Sequence, residues 1–89
     1  MTQSEVTIIN KLGLHARAAA KFVTLASRFK SEIRVQRGTK EVNGKSIMGV
    51  MMLAASQGTR LCIMASGPDE EEALQQLKTL VNERFGEHE

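Results

Sequence analysis

Apolar residues recur along this chain in two periods, and the switches between them predict seven elements. Glu5-Val6-Thr7-Ile8-Ile9 is β-branched and partly alternating, which predicts a strand. Asn10 to Leu14 follows as a loop. From Ala16 to Phe29 the period is helical: Ala19, Phe22, Val23, Ala26 and Phe29 recur at three- and four-residue steps. Arg17, Lys21, Thr24 and Arg28 fall on a polar stripe of the same period. Glu32 to Arg37 alternates as a half-buried strand, and Gly38-Thr39 predicts a hairpin turn into Lys40-Glu41-Val42. Asn43-Gly44 breaks the chain again. Ser46 can N-cap a short helix over Ile47 to Leu53, which Gly58 closes before a fourth strand, Arg60 to Ala65. Gly67-Pro68-Asp69 and Glu70-Glu71-Glu72 predict the start of a last helix. Proline suits its first turn, and the carboxylates suit the positive end of its dipole. Ala73, Leu74, Leu77, Leu80 and Val81 are its buried stripe, Arg84 lies near its C-terminus and Gly86 ends it.

The resulting order is β-α-β-β-α-β-α. Three helices with one apolar side each need a sheet face to cover. An α+β fold follows, with a four-stranded antiparallel sheet and all helices on one side. No repeat, linker or low-complexity segment interrupts the chain, so residues 1–89 are expected to form a single domain with one modest core.

Composition adds constraints. With three Phe and no Trp or Tyr, packing must rest on Leu, Ile, Val, Met and Ala. The single cysteine, Cys62, excludes an intramolecular disulfide framework and fits a reducing, cytoplasmic location. Met1 to Glu5 has neither a basic nor an apolar signal-peptide region, and no apolar run approaches the ~20 residues of a membrane span. No membrane insertion is therefore expected. The net charge of +2 is unevenly spread: residues 1–60 hold ten Lys/Arg against three Asp/Glu, and residues 61–89 hold two against seven. The basic part suits a phosphate group or an acidic partner.

Candidate chemistry concentrates at Gly13-Leu14-His15-Ala16-Arg17, where the loop meets the first helix. A helix start offers unpaired backbone N–H groups, here those of Ala16 and Arg17, and a partial positive charge. Arg17 adds a planar, permanently charged fork for phosphate oxygens. His15 adds a nitrogen nucleophile usable near neutral pH. Arg17 and the helix start disfavour a second positive charge on the ring, then attract a phosphoryl dianion once it is attached. There is no metal-ligand cluster, Walker loop or paired-carboxylate device, so neither metal nor cofactor is expected. Cys62 has no neighbouring base and His88 sits in a polar tail; neither receives a role.

A second candidate surface follows Ser46. Ile47 to Ala55 contains no charged residue, and a short surface helix buries only one side. Ile47, Val50 and Ala54 fit one face, while Met48, Met51 and Met52 lie largely on another. Apolar side chains here, with flexible methionines foremost, suit a surface that fits more than one partner. Ile47, Met48, Met51 and Met52 are the docking candidates, Met48 first among them.

These features together resemble the HPr family of the phosphoenolpyruvate-dependent phosphotransferase system. The resemblance runs through Asn10 to Arg17, Ala19 to Val23, Asn43 to Met51, Ala54 to Gly58 and Gly67 to Leu74. It implies an open-faced β-sandwich with strand order 1-4-2-3, which composition alone would not provide. It implies a phosphocarrier rather than an enzyme. The histidine matching His15 takes a phosphoryl group, on Nδ1, from an enzyme I-type phosphotransferase and passes it to a IIA-type protein; Arg17 stabilises the group. In some members a regulatory serine kinase modifies the residue matching Ser46. The commonest family pattern has proline after the arginine, and this chain has Ala18; that departure is similar to the nitrogen-related branch, NPr, more than to the sugar-transport branch. A monomer is expected. The competing functions are a purely regulatory binding module of the same fold, opposed by intact His15 and Arg17, and a small RNA-binding domain. The shortage of stacking aromatics opposes nucleic-acid binding.

Overall fold

The computed structural model describes residues 1–89. Its elements are β1 (Thr2–Thr7), α1 (Ala16–Ala26), β2 (Glu32–Arg37), β3 (Lys40–Asn43), α2 (Ile47–Met51), β4 (Arg60–Ser66) and α3 (Glu70–Asn82), followed by a 3-10 turn at Arg84–Gly86. The four strands form one antiparallel sheet in the order β1-β4-β2-β3. Period-two alternation sends Val6, Ile33, Val35, Leu61, Ile63 and Ala65 to the helix-covered face. Cys62 lies on the open face, in register between Glu5 and Gln36. The helices supply Ala19, Phe22, Val23, Ala26, Val50, Ala73, Leu74, Leu77 and Val81 to a single cluster of 22 buried apolar residues. Arg17, Lys21 and Thr24 of α1, and Arg28 just past its end, are all exposed, as a polar stripe requires.

Several boundaries differ from those the pattern predicts. β1 begins at Thr2, where register with Ala65 starts, and ends at Thr7; Ile8 and Ile9 lie past its end. Ile8 instead exchanges backbone hydrogen bonds with the loop before β4, through Thr59 and Gly58. α1 stops at Ala26, not Phe29. Phe29 stays buried because the chain tightens into short turns, Arg28 N–H to Leu25 and Phe29 N–H to Ala26. α2 ends at Met51, ahead of Leu53, and Gly58 does not close it. Ala54, at φ 51°, turns the chain out, and Leu53 takes the buried position expected of Ala54. Ile47 is likewise exposed.

At α3, Pro68 lies before the N-cap residue Asp69 and not in the first turn. Nor does the Asp69 carboxylate cap its own helix. It accepts from the backbone N–H of Lys30 and Ser31, each at 2.9 Å, and from the Ser31 hydroxyl at 2.5 Å. The Ser31 hydroxyl first, then the backbone N–H groups, pull its carboxyl from 3.8 to about 2. The folded value is depressed, so this clamp on the start of β2 contributes above pH 3.8 and is lost only as pH falls toward about 2.

Four cations of the basic half are committed to backbone carbonyls. Arg37 donates to Leu53 and Ala54, Lys40 to Met52, Lys45 to Phe29 and Lys21 to Phe85. They satisfy carbonyls left open where helices end. Part of the charge that suggests an acidic partner is therefore structural.

Candidate phosphoryl-carrier site

The loop from Asn10 to Leu14 sets the position of His15. Asn10 is fully buried, and its Nδ2 donates to the Gly13 carbonyl at 2.8 Å. Gly13 turns the chain at φ 66°, packed so closely that an added Cβ would lie 2.5 Å from the Ala55 carbonyl oxygen. Leu14 N–H donates to that same oxygen at 2.8 Å, and the Leu14 side chain is buried. The chain then emerges with His15 as the extended N-cap residue of α1.

No side chain caps this helix start. The His15 carbonyl accepts from Ala19, while the first N–H groups, from Ala16 onward, have no acceptor in the helix. Arg17 is exposed and takes no part in the ion pairs of the chain. The His15 ring, the free Arg17 guanidinium and the open helix terminus thus share one end of α1. Ala18 is buried and joins the core, a position the helical stripe did not include.

The chain terminus supplies what the sequence pattern missed. After α3, Arg84 and Phe85 adopt φ 57° and 54°, and Gly86 follows at 79°. This left-handed turn drives Phe85 into the core beside Ile8, Leu14, Phe22 and Val81, and Lys21 holds its carbonyl at 2.7 Å. Glu87 is thereby laid across the start of α1. One carboxylate oxygen meets His15 Nε2, and the other accepts from Asn10 Nδ2 at 3.0 Å. Lys11 N–H and Nζ both reach Glu89. His15 and Glu87, with Lys11, Leu12, Arg17 and Glu89, line one open cleft. The hydrogen bond from His15 holds the Glu87 carboxyl below its usual value of 4.5, with Asn10 and the charges of His15 and Lys21 acting in the same direction and desolvation opposing them. This contact is complete above pH 4.5 and is lost as pH falls through the depressed value.

Ser46 behaves as expected of an N-cap: its Oγ accepts from Gly49 N–H at 3.1 Å. The helix it starts, with its C-cap residue Met52, carries four of the seven exposed large apolar side chains of the chain. Met48 is 72% exposed, Met52 58%, Ile47 44% and Met51 41%. Only Val50 of α2 is buried.

A four-stranded sheet of order β1-β4-β2-β3 under three helices, with a histidine and an arginine at an open helix start, is an arrangement suited to a phosphoryl carrier. The comparisons agree. The family profile described as the PTS HPr component phosphorylation site matches residues 2–83. Phosphocarrier protein HPr of Pseudomonas aeruginosa is 57% identical over 90 residues, covering both chains in full. The crystal structure of HPr-C-His from Thermoanaerobacter tengcongensis superposes with a TM-score of 0.97 at 49% identity, again over the full length of both chains. An HPr dimer structure from the same organism has a TM-score of 0.79 at 50% identity, covering 98% of this chain and 100% of that one. The chain belongs to the HPr family of phosphotransferase-system phosphocarriers. Its members are carriers, not enzymes, and membership implies interaction with enzyme I and IIA-type proteins. No helix is long and apolar enough to cross a membrane.

Proposed function

We propose that His15 accepts a phosphoryl group from phosphorylated enzyme I and passes it to a IIA protein of the nitrogen-related branch. The observation that carries this reading is the juxtaposition of His15, the uncapped N–H groups of Ala16 and Arg17, and the unpaired Arg17 guanidinium. Those donors meet the phosphoryl oxygens in transit, over which the charge of the transferring group is spread. Exposure keeps the attraction moderate, as a carrier that must release its group requires. Ala18 supports the branch assignment, since it stands where the sugar-branch pattern has proline. A monomer leaves the α2 surface free for both partners, whereas dimerisation through α2 would cover it.

Incubation with enzyme I and labelled phosphoenolpyruvate should leave an acid-labile, base-stable label. The charged protein should then discharge faster to a nitrogen-type than to a sugar-type IIA protein. Absence of label sinks the carrier reading; faster discharge to the sugar-type acceptor sinks the branch assignment.

Ile47, Met48, Met51 and Met52 form the docking patch, used by donor and acceptor in turn. Met48→Glu should weaken binding to both partners at least about tenfold, on the order of 1.4 kcal/mol. Its circular dichroism should match wild type, because Met48 points outward. Isothermal titration with each partner checks this, and unchanged affinity for both would place docking elsewhere. A serine kinase acting at Ser46 would add negative charge beside this patch and oppose docking, while the helix start itself tolerates that charge.

A further inference from the structure

We infer that Glu87 is a positioning residue for His15: its carboxylate accepts the Nε2 proton, fixes the ring, and leaves the Nδ1 lone pair free to attack phosphorus. This rests on the carrier role proposed for His15. The ring's one hydrogen bond within the chain runs between Nε2 and Glu87, and Nδ1 has none. An ionised carboxylate only accepts, so a neutral ring in this contact carries its proton on Nε2. The Glu87 carboxyl is held below its ordinary titration range and is ionised at neutral pH.

The carboxylate is itself held in place. Buried Asn10 binds its second oxygen and also binds Gly13 O, so one side chain couples Glu87 to the loop that carries His15. Three successive left-handed residues and the buried Phe85 deliver the tail to this point. Two of those residues, Arg84 and Phe85, are not glycine, and such backbone costs about 1–3 kcal/mol each. Burial of Phe85 offsets that cost, and the turn it anchors is what sets Glu87 against His15.

The chemistry balances. The Nδ1 lone pair forms a bond to phosphorus as the donor's N–P bond breaks, and that electron pair returns to the donor imidazole. The His15 proton stays on Nε2. The positive charge the ring gains is met by the Glu87 carboxylate on the far side of the ring from the phosphoryl group. When an acceptor nitrogen attacks, the electron pair returns to Nδ1 and the neutral ring is restored. Arg17, Lys11 and Lys21 offset the carboxylate's repulsion of the incoming group; Glu89 adds to it, and His88 borders the same cleft.

The test compares wild type with Glu87→Ala, Glu87→Gln and Glu87→Asp at one fixed, mildly alkaline pH. Nitrogen-15 NMR of the ring reads the tautomer, and rapid-quench transfer from phosphorylated enzyme I reads the rate. Wild type should show a single Nε2–H tautomer with a slowly exchanging proton. Glu87→Ala should lose that signature and slow transfer roughly ten- to hundredfold, the effect of one charge-assisted hydrogen bond. Glu87→Gln should keep the tautomer through its amide oxygen, recover part of the rate and lack the charge effect; Glu87→Asp should recover less of the tautomer. An unchanged tautomer and rate in Glu87→Ala overturns the inference, and so does faster transfer, which would mark the carboxylate as a brake. Labelling of wild type separates the two readings. If wild type takes no label at His15, the carrier proposal fails; if it does and Glu87→Ala matches it, only the positioning role fails.

Discussion

His15→Ala should take up no phosphoryl group from enzyme I while remaining folded. The ring is the one nitrogen nucleophile placed at the open start of α1. His88 borders the same cleft but lies in the tail and has no hydrogen-bonded partner to orient it. Removing the ring costs one contact with Glu87, at a site where both side chains keep some solvent access. A loss of about 1 kcal/mol is expected, small against the ~5–15 kcal/mol of a typical domain. Arg17→Ala is the informative companion: it keeps the nucleophile, so label should still appear, but more slowly in both directions of transfer. Electrophoretic separation of labelled protein and a thermal melt of each variant check both statements. Full labelling of His15→Ala would move the site to another residue. An unfolded His15→Ala would show that the loop depends on the ring.

Local patterns were legible in the sequence, and long-range ones were not. His15, Ala16 and Arg17 lie within three residues at a helix start, so their shared site follows from helix geometry alone. The same holds for Ser46 and Gly49, three residues apart. β2 could be bounded at Glu32 and Arg37 because each second side chain is buried. Strand order could not be read that way, since alternation tells which face a residue takes and not which strand it joins; the family resemblance supplied it. Phe29 shows how periodicity overruns: it keeps the helical spacing and its burial, yet reaches the core from a turn. Glu87 shows what periodicity cannot see. It is 72 positions from His15, in a tail with no repeating pattern, and only the left-handed turn at Arg84–Gly86 brings it back. Asn10 carried a weak local signal, an Asn three residues before a Gly in a loop, but nothing in the order of residues ties it to Glu87.

A large loss of stability from a single methyl group should come from Gly13→Ala. Two costs coincide there. The backbone sits at φ 66°, in the left-handed region that an L side chain enters at about 1–2 kcal/mol. The new Cβ would also lie 2.5 Å from the Ala55 carbonyl oxygen and 2.9 Å from Ser56 Cα. Both are backbone atoms, and the Ala55 oxygen is already bonded to Leu14 N–H, so neither can step aside without breaking the seat of the loop. Forced overpacking adds about 1–3 kcal/mol. The total, about 2–5 kcal/mol, corresponds to a melting-temperature drop on the order of 10–30 °C for a domain of this size. Gly38→Ala separates the two costs. It sits at φ 59° with nothing within 4 Å of an added Cβ, so it should lose only the backbone share. Surviving Gly13→Ala protein should also accept phosphoryl groups more slowly than Gly38→Ala, because the same loop carries Leu14 and His15 to the start of α1. Differential scanning calorimetry of the two variants decides the matter. Equal melting temperatures would mean that the loop gives way around the methyl group, and that the fit of Gly13 against Ala55 does not set the position of His15.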